Sequence, residues 1–300
     1  MALLTDEARG VYVISVTPFK DDGALDLDSL DRLTDFYLEA GVDGITILGM
    51  MGEAPKLTQS ESLKVIDRVV ARAGGKPVVV GVSAPGLAAL AELGQEAMAR
   101  GAAGVMVAPP MPLRTDAQIL AYYRQACSFL GADIPVVLQD FPLVTTVQIS
   151  DALPQIVMLK HEDWPGLGNI SKLRAAEAAG RRHISVLCGN GGVFLPEEVA
   201  RGADGAMTGF GFPEMMVSVV ALAAAGDMDR AQDIFDAYLP LVRYEQQPGV
   251  GLAVRKHVLA KRGAIASAAQ RQPGAALDPL AVAEVERLIA RQTRRLAELG

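Results

Sequence analysis

The sequence predicts a (β/α)₈ barrel over residues 10–225, followed by a helical C-terminal extension over residues 226–300. Three observations carry this reading. Eight short apolar runs rich in Val and Ile recur along the chain, each bounded by Gly or Pro and too short for a helix, as expected of strands buried on both faces of a parallel sheet. Helix-like segments alternate with these runs, which is the order of βαβ units. The turn after the first run reads TPFKDDG and lacks the glycine-rich opening usual in an open doubly wound sheet, so closure into a barrel is preferred.

In chain order the runs are GVYVISVTPF from Gly10, GITILG from Gly44, PVVVGVS from Pro77 and GVMVAPP from Gly104. PVVLQDF from Pro135, IVMLKHED from Ile156, ISVLCGNG from Ile184 and GAMTGFGF from Gly205 follow. Between them, Thr58-Gln59-Ser60-Glu61 and Thr115-Asp116-Ala117-Gln118 have the spacing of capping boxes. Gly41, Gly101 and Gly180 stand where a left-handed residue closes a helix. After Gly226 the strand pattern stops. Asp227–Tyr238, Gly249–Arg262 and Leu280–Leu299 read as helices joined by the looser SAAQRQPGAALDP stretch.

Composition narrows the function. Half of the 300 residues are hydrophobic and 21% are charged, ample for a large core. Lys plus Arg is 28 against 35 for Asp plus Glu, a net charge of −7 that argues against a nucleic-acid partner. No apolar run approaches the roughly 18 residues that span a bilayer. The opening MALLTDEARG has no basic segment leading into an apolar stretch, so a cytoplasmic protein without a membrane partner is expected. Cys127 and Cys188 make neither a disulfide framework nor a zinc pattern.

In such barrels the active site lies at the C-terminal ends of the strands. Lys160 ends the run Ile156–Leu159, where the barrel interior should wall its stem. Desolvation disfavours an ammonium, and a neutral amine can attack a ketone to form an iminium, an electron sink for chemistry at the neighbouring carbon. The plainer alternative is a lysine paired with Glu162 or Asp163. Lys20 and Lys56 share the face but lie in polar, solvated turns, which leaves Lys160 the better nucleophile. GMMGE, Gly49 to Glu53, is a tight turn whose amides at Met50 and Met51 can hold a small carboxylate. Gly189 and Met207 are expected to complete the substrate wall. Glycines after strands seven and eight also raise a phosphate site, though no Lys or Arg accompanies them. His161-Glu162-Asp163 raises a divalent metal. Alternation sends His161 and Asp163 one way and Lys160 and Glu162 the other, and His183 and His257 stand at no strand end. No metal or other cofactor is therefore expected.

VTPF at the first strand, GxxGE at the second, VxVAPP at the fourth and the strand-six lysine, at this spacing, resemble the dihydrodipicolinate synthase/N-acetylneuraminate lyase family over nearly the whole chain. The resemblance implies a (β/α)₈ barrel with a C-terminal helical extension, assembled as a tetramer of tight dimers. It implies a class I aldolase, lyase or dehydratase forming a Schiff base between Lys160 and pyruvate or a 2-keto acid. Departures from the family pattern are as informative. Met50 and Met51 replace its Thr-Thr or Ser-Thr, and Gln139-Asp140-Phe141-Pro142 replaces its YNxP. The arginine with which the synthase holds its second substrate falls at Val144, and the tyrosine donated across a subunit contact falls near Met111. These losses speak against the synthase reaction, whereas Gln-Asp is similar to 2-keto-3-deoxy sugar-acid dehydratases of the family. Proton transfer then falls to Glu162 or Asp140 beside Gln139, with Tyr244, in an expected loop, the one tyrosine able to reach in. Methionines at 50, 51 and 111 suggest a less polar pocket than the synthase would have. The expected function is a Schiff-base-forming lyase acting on pyruvate or a 2-keto acid such as a 2-keto-3-deoxy sugar acid. The alternatives are 4-hydroxy-tetrahydrodipicolinate synthase and a non-catalytic barrel that binds a small ligand.

Overall fold

In the computed structural model, which describes residues 2–113, 115–140 and 146–300, each apolar run supplies one strand. These are β1 (Gly10–Ile14), β2 (Gly44–Ile47), β3 (Val78–Gly81), β4 (Gly104–Val107), β5 (Val136–Gln139), β6 (Ile156–His161), β7 (Ser185–Cys188) and β8 (Gly205–Ala206). Neighbours in sequence pair in parallel, and β8 pairs with β1 to close the barrel. Helices α1 (Leu27–Glu39), α2 (Gln59–Arg72), α3 (Leu87–Ala99), α4 (Asp116–Leu130), α5 (Thr146–Ala152), α6 (Leu167–Ala178), α7 (Leu195–Ala200) and α8 (Pro213–Ala224) alternate with the strands. Both predicted capping boxes form: Thr58 and Thr115 accept from the amides of Glu61 and Gln118, whose side chains return to the cap amides. Gly41, Gly101 and Gly180 take φ of 83°, 94° and 93°, the left-handed closure a side chain would oppose.

The two-residue period of the strands divides the core. Tyr12, Ile14, Val79, Met106, Val137, Met158, Leu187 and Met207 fill the barrel, and Leu4 plugs its base. Their neighbours Val13, Ile45, Val80, Val105, Leu138, Leu159 and Val186 face the helices. One irregularity lies between β5 and β6, where the register steps from Val136↔Ile156 to Val137↔Met158. Beyond it Gln139 pairs with Lys160, so these two point into the barrel together.

Three further helices follow: α9 (Met228–Glu245), α10 (Gly251–Lys261) and α11 (Pro279–Leu299). Helix α9 runs well past the predicted end at Tyr238, carrying Pro240 inside it. Proline costs a backbone hydrogen bond; burial of Leu241, Val242 and Glu245 beyond it holds the last turns in place. The extension is clamped to the barrel through Glu53. This carboxylate is 2% exposed and accepts from Lys256 Nζ (2.5 Å), Lys56 Nζ (2.8 Å) and the Arg271 amide (3.1 Å). Lys256 and Arg271 also lie over the Phe19 ring at 4.6 and 4.5 Å. No helix among the described residues is long and apolar enough to cross a membrane.

Candidate active site

The C-terminal ends of the strands and the segment joining α9 to α10 enclose a cavity of about 490 Å³. Lys160, Glu162 and Gln139 project into it. Lys160 is 7% exposed, its stem walled by the barrel, and its Nζ lies 2.9 Å from Glu162 Oε1. The second Glu162 oxygen accepts from Gln139 Nε2 at 2.5 Å. Glu162 thus offers one oxygen to the amine while an amide fixes the other. Gly189 makes room for it, since a Cβ there would stand 2.3 Å from Glu162 Cγ. Gly189 is therefore a spacer behind the carboxylate rather than part of the cavity wall.

Asp140 does not join them. Alternation along β5 turns Gln139 inward and Asp140 outward, where it is 2% exposed. Its Oδ1 accepts the Glu162 amide (2.5 Å) and its Oδ2 meets His161 Nδ1 (2.6 Å). The other ring nitrogen of His161 faces the Gly166 carbonyl at 3.1 Å. Two acceptors, one at each ring nitrogen, favour the doubly protonated ring of His161. Burial opposes that charge, but the hydrogen bond and charge of Asp140 outweigh it and raise the pKa above the ordinary histidine value. Asp140 is therefore a brace for the Glu162 backbone and not a group at the cavity. Asp163, on the same outer side, accepts from Asn169. Among the described residues no cluster of His, Cys, Asp or Glu is arranged to hold a metal.

Gly49, Met50 and Met51 line the opposite wall, where Met50–Gly52 forms a single 3₁₀ turn. The Thr17 hydroxyl donates to the Gly52 carbonyl at 2.6 Å and ties this turn to the end of β1. Met50 and Met51 supply the first amides of the turn, which have no carbonyl of their own helix to bond. The Met50 side chain is 72% exposed and that of Met111 58%, so neither makes the interior apolar. Met207 is fully buried in the barrel core, beneath the chemistry, and does not reach the cavity. Tyr244 lies in α9, not in a loop, and its hydroxyl donates to Glu284 Oε2 at 2.5 Å, away from Lys160. Phe141, Pro142 and Val144 lie outside the described residues.

The remaining wall was not foreseen from the sequence. Glu245, Gln246, Gln247, Arg255 and Gln270 reach the cavity from the extension, alongside Asn190 and Thr208 of the barrel. Nothing local marks those residues, because their place depends on how α9 and α10 dock. The glycines after β7 and β8 turn out to be seats for them. A Cβ on Gly191 would fall 1.7 Å from Gln246 Nε2, and one on Gly209 2.3 Å from Arg255 Nη1. Side chains of the extension fill the space that a glycine phosphate cradle would need.

Comparison with known proteins agrees with this architecture. The model of the dihydrodipicolinate synthetase family matches residues 7–292. The L-2-keto-3-deoxyarabonate dehydratase of Azospirillum brasilense is 32% identical over 295 residues, covering 94% of this chain and 93% of that protein. The 4-hydroxy-tetrahydrodipicolinate synthase of Thiobacillus denitrificans is 33% identical over 246 residues, 78% of this chain and 80% of that one. A crystal structure described as dihydrodipicolinate synthase from Rhodopseudomonas palustris superposes with a TM-score of 0.95 at 54% identity, over 97% of this chain and 100% of that one.

Proposed function

The chain belongs to the dihydrodipicolinate synthetase family, and from that premise we propose that it is a class I lyase forming a Schiff base between Lys160 and a 2-keto acid, such as a 2-keto-3-deoxy sugar acid. The observation that carries this is the 2.9 Å contact between Lys160 Nζ and Glu162 Oε1 at the cavity wall. Glu162 takes a proton from the amine, Nζ adds to the C2 carbonyl, and loss of water leaves an iminium. The substrate carboxylate rests against the Met50 and Met51 amides, where a turn start favours negative charge. For dehydration Glu162, a carboxylate again once its proton has left with the carbinolamine water, takes a proton from C3 and gives an enamine. In dehydration its electrons expel the C4 hydroxyl, which leaves as water with a proton from Glu162. In aldol cleavage the iminium keeps its C3 protons: Glu162 removes the C4 hydroxyl proton, the C3–C4 bond breaks, its electrons pass into the iminium, and the resulting enamine takes that proton at C3. Hydrolysis returns the free lysine. Gln139 keeps Glu162 aimed throughout.

The 4-hydroxy-tetrahydrodipicolinate synthase reaction is a second reading, favoured by the names of the Thiobacillus denitrificans and Rhodopseudomonas palustris proteins. Against it, no tyrosine is among the described residues lining the cavity, and its Lys and Arg are each paired with a glutamate. Among the described residues neither a phenol relay nor an unpaired cation for a second carboxylate is offered there. We further propose a cytoplasmic homo-oligomer of two or four chains, with pyruvate as the simplest ligand of Lys160. Incubation with a panel of 2-keto-3-deoxy pentonic and hexonic acids, read as loss of substrate with release of pyruvate or of a dehydrated keto acid, tests the reading. Turnover of a sugar acid supports it. Turnover only of pyruvate with aspartate semialdehyde moves the assignment to the synthase.

A further inference from the structure

We propose that Arg255 and Gln246 select the substrate by binding the hydroxylated end of the chain remote from its keto group. The inference rests on the lyase reading above and extends it to substrate choice. Arg255 is 2% exposed and its Nε donates to Glu245 Oε1 at 2.6 Å, yet its Nη1 has no hydrogen-bond partner. A buried guanidinium arm without an acceptor is costly unless a ligand supplies one. That arm lies over Gly209, which lines the cavity, and the Gln246 amide lies over Gly191 in the same wall. Both glycines are required for these side chains to enter.

The chemistry of this wall specifies the ligand group. Arg255 is already neutralised by Glu245, so an acceptor without charge suits Nη1 better than a second carboxylate, which would face Glu245 unpaired. Gln246, Gln247, Gln270 and Asn190 are carboxamides, each able both to donate and to accept. A hydroxyl has the same dual capacity. A chain carrying hydroxyl groups beyond C3 therefore matches the wall, whereas a semialdehyde with an ammonium and a second carboxylate does not.

Two variants test this by comparison with pyruvate, which has no remote end. Arg255→Lys keeps the charge facing Glu245 but loses the second arm, and Gln246→Ala alters a partly exposed side chain, so its folding does not depend on the buried pair. In each, kcat/KM for a 2-keto-3-deoxy sugar acid, divided by the rate of borohydride trapping with pyruvate, is expected to fall about 10-fold or more, the loss of one hydrogen bond to a charged or amide donor. An unchanged ratio in both variants overturns the role of these residues while leaving the lyase reading intact. A wild-type protein that neither traps pyruvate nor turns over a sugar acid overturns the lyase reading, and this one with it.

Discussion

Among the described residues Glu162 is the only carboxylate in contact with Lys160, and its Gln139 partner keeps it from turning away. Replacing it by Gln retains the size and the hydrogen-bonding capacity but removes the proton acceptor. Glu162→Gln is expected to lower turnover by roughly 10²-fold or more while leaving iminium trapping measurable, a loss typical of a general acid–base. Near-normal turnover would exclude Glu162 from proton transfer. At this scale the sequence was partly legible. The rule of alternation applied to Ile156–Asp163 gave Lys160 and Glu162 one face and His161 the other, as found. The direction of Asp140 is not local information, because it depends on the pairing of β5 with β6; the Gln139↔Lys160 register turns it outward. The depth of Met207 along β8 is not legible in the sequence for a related reason, since it depends on the stagger of the closed barrel.

Among the elements, the contact of α10 with the turn after β2 fixes the cavity's outer wall. Lys256 is fully buried against Glu53, although burial lowers its pKa against the pull of that carboxylate. Lys256→Met strips Glu53 of one of its cations and is expected to cost about 3 kcal/mol or more in urea unfolding, as breaking buried pairs does. A change under 1 kcal/mol would mean that Lys56 and the Arg271 amide suffice (about the worth of an exposed pair). Helix α7 offers a pH test. Burial is the main cause raising Glu198 from 4.5 to about 7, although the Cys188 thiol and His161 act the other way. Its folded pKa exceeds the unfolded one, so its contribution is full below pH 4.5 and is lost as pH rises to about 7. Wild-type protein should lose about 3 kcal/mol from this group between pH 4.5 and 8, and Glu198→Gln should flatten that part of the profile. An unchanged profile in the variant would refute the assignment. Strands and capping boxes were readable because they are local; the run of α9 through Pro240 was not, since tertiary burial decides it.

For the whole molecule, the barrel and its extension make one cavity only because residues about 90 positions beyond β6 fold back over its mouth, a long-range arrangement that no local period encodes. Met111 and Trp164, 58% and 55% exposed, are large apolar side chains left open on the single chain. Met and Trp are among the residue types enriched at contacts between subunits. Light scattering at micromolar concentration should give the mass of two or four chains of 31.6 kDa; a monomer would contradict the proposed assembly. The central claim is that Lys160 becomes covalently bonded to its substrate. Borohydride reduction with pyruvate or a 2-keto-3-deoxy sugar acid, followed by peptide mass mapping, tests it most directly. The account predicts a reduced adduct on the Lys160 peptide and none in Lys160→Ala. An unlabelled wild-type protein across the panel, or equal labelling of the variant, would contradict it.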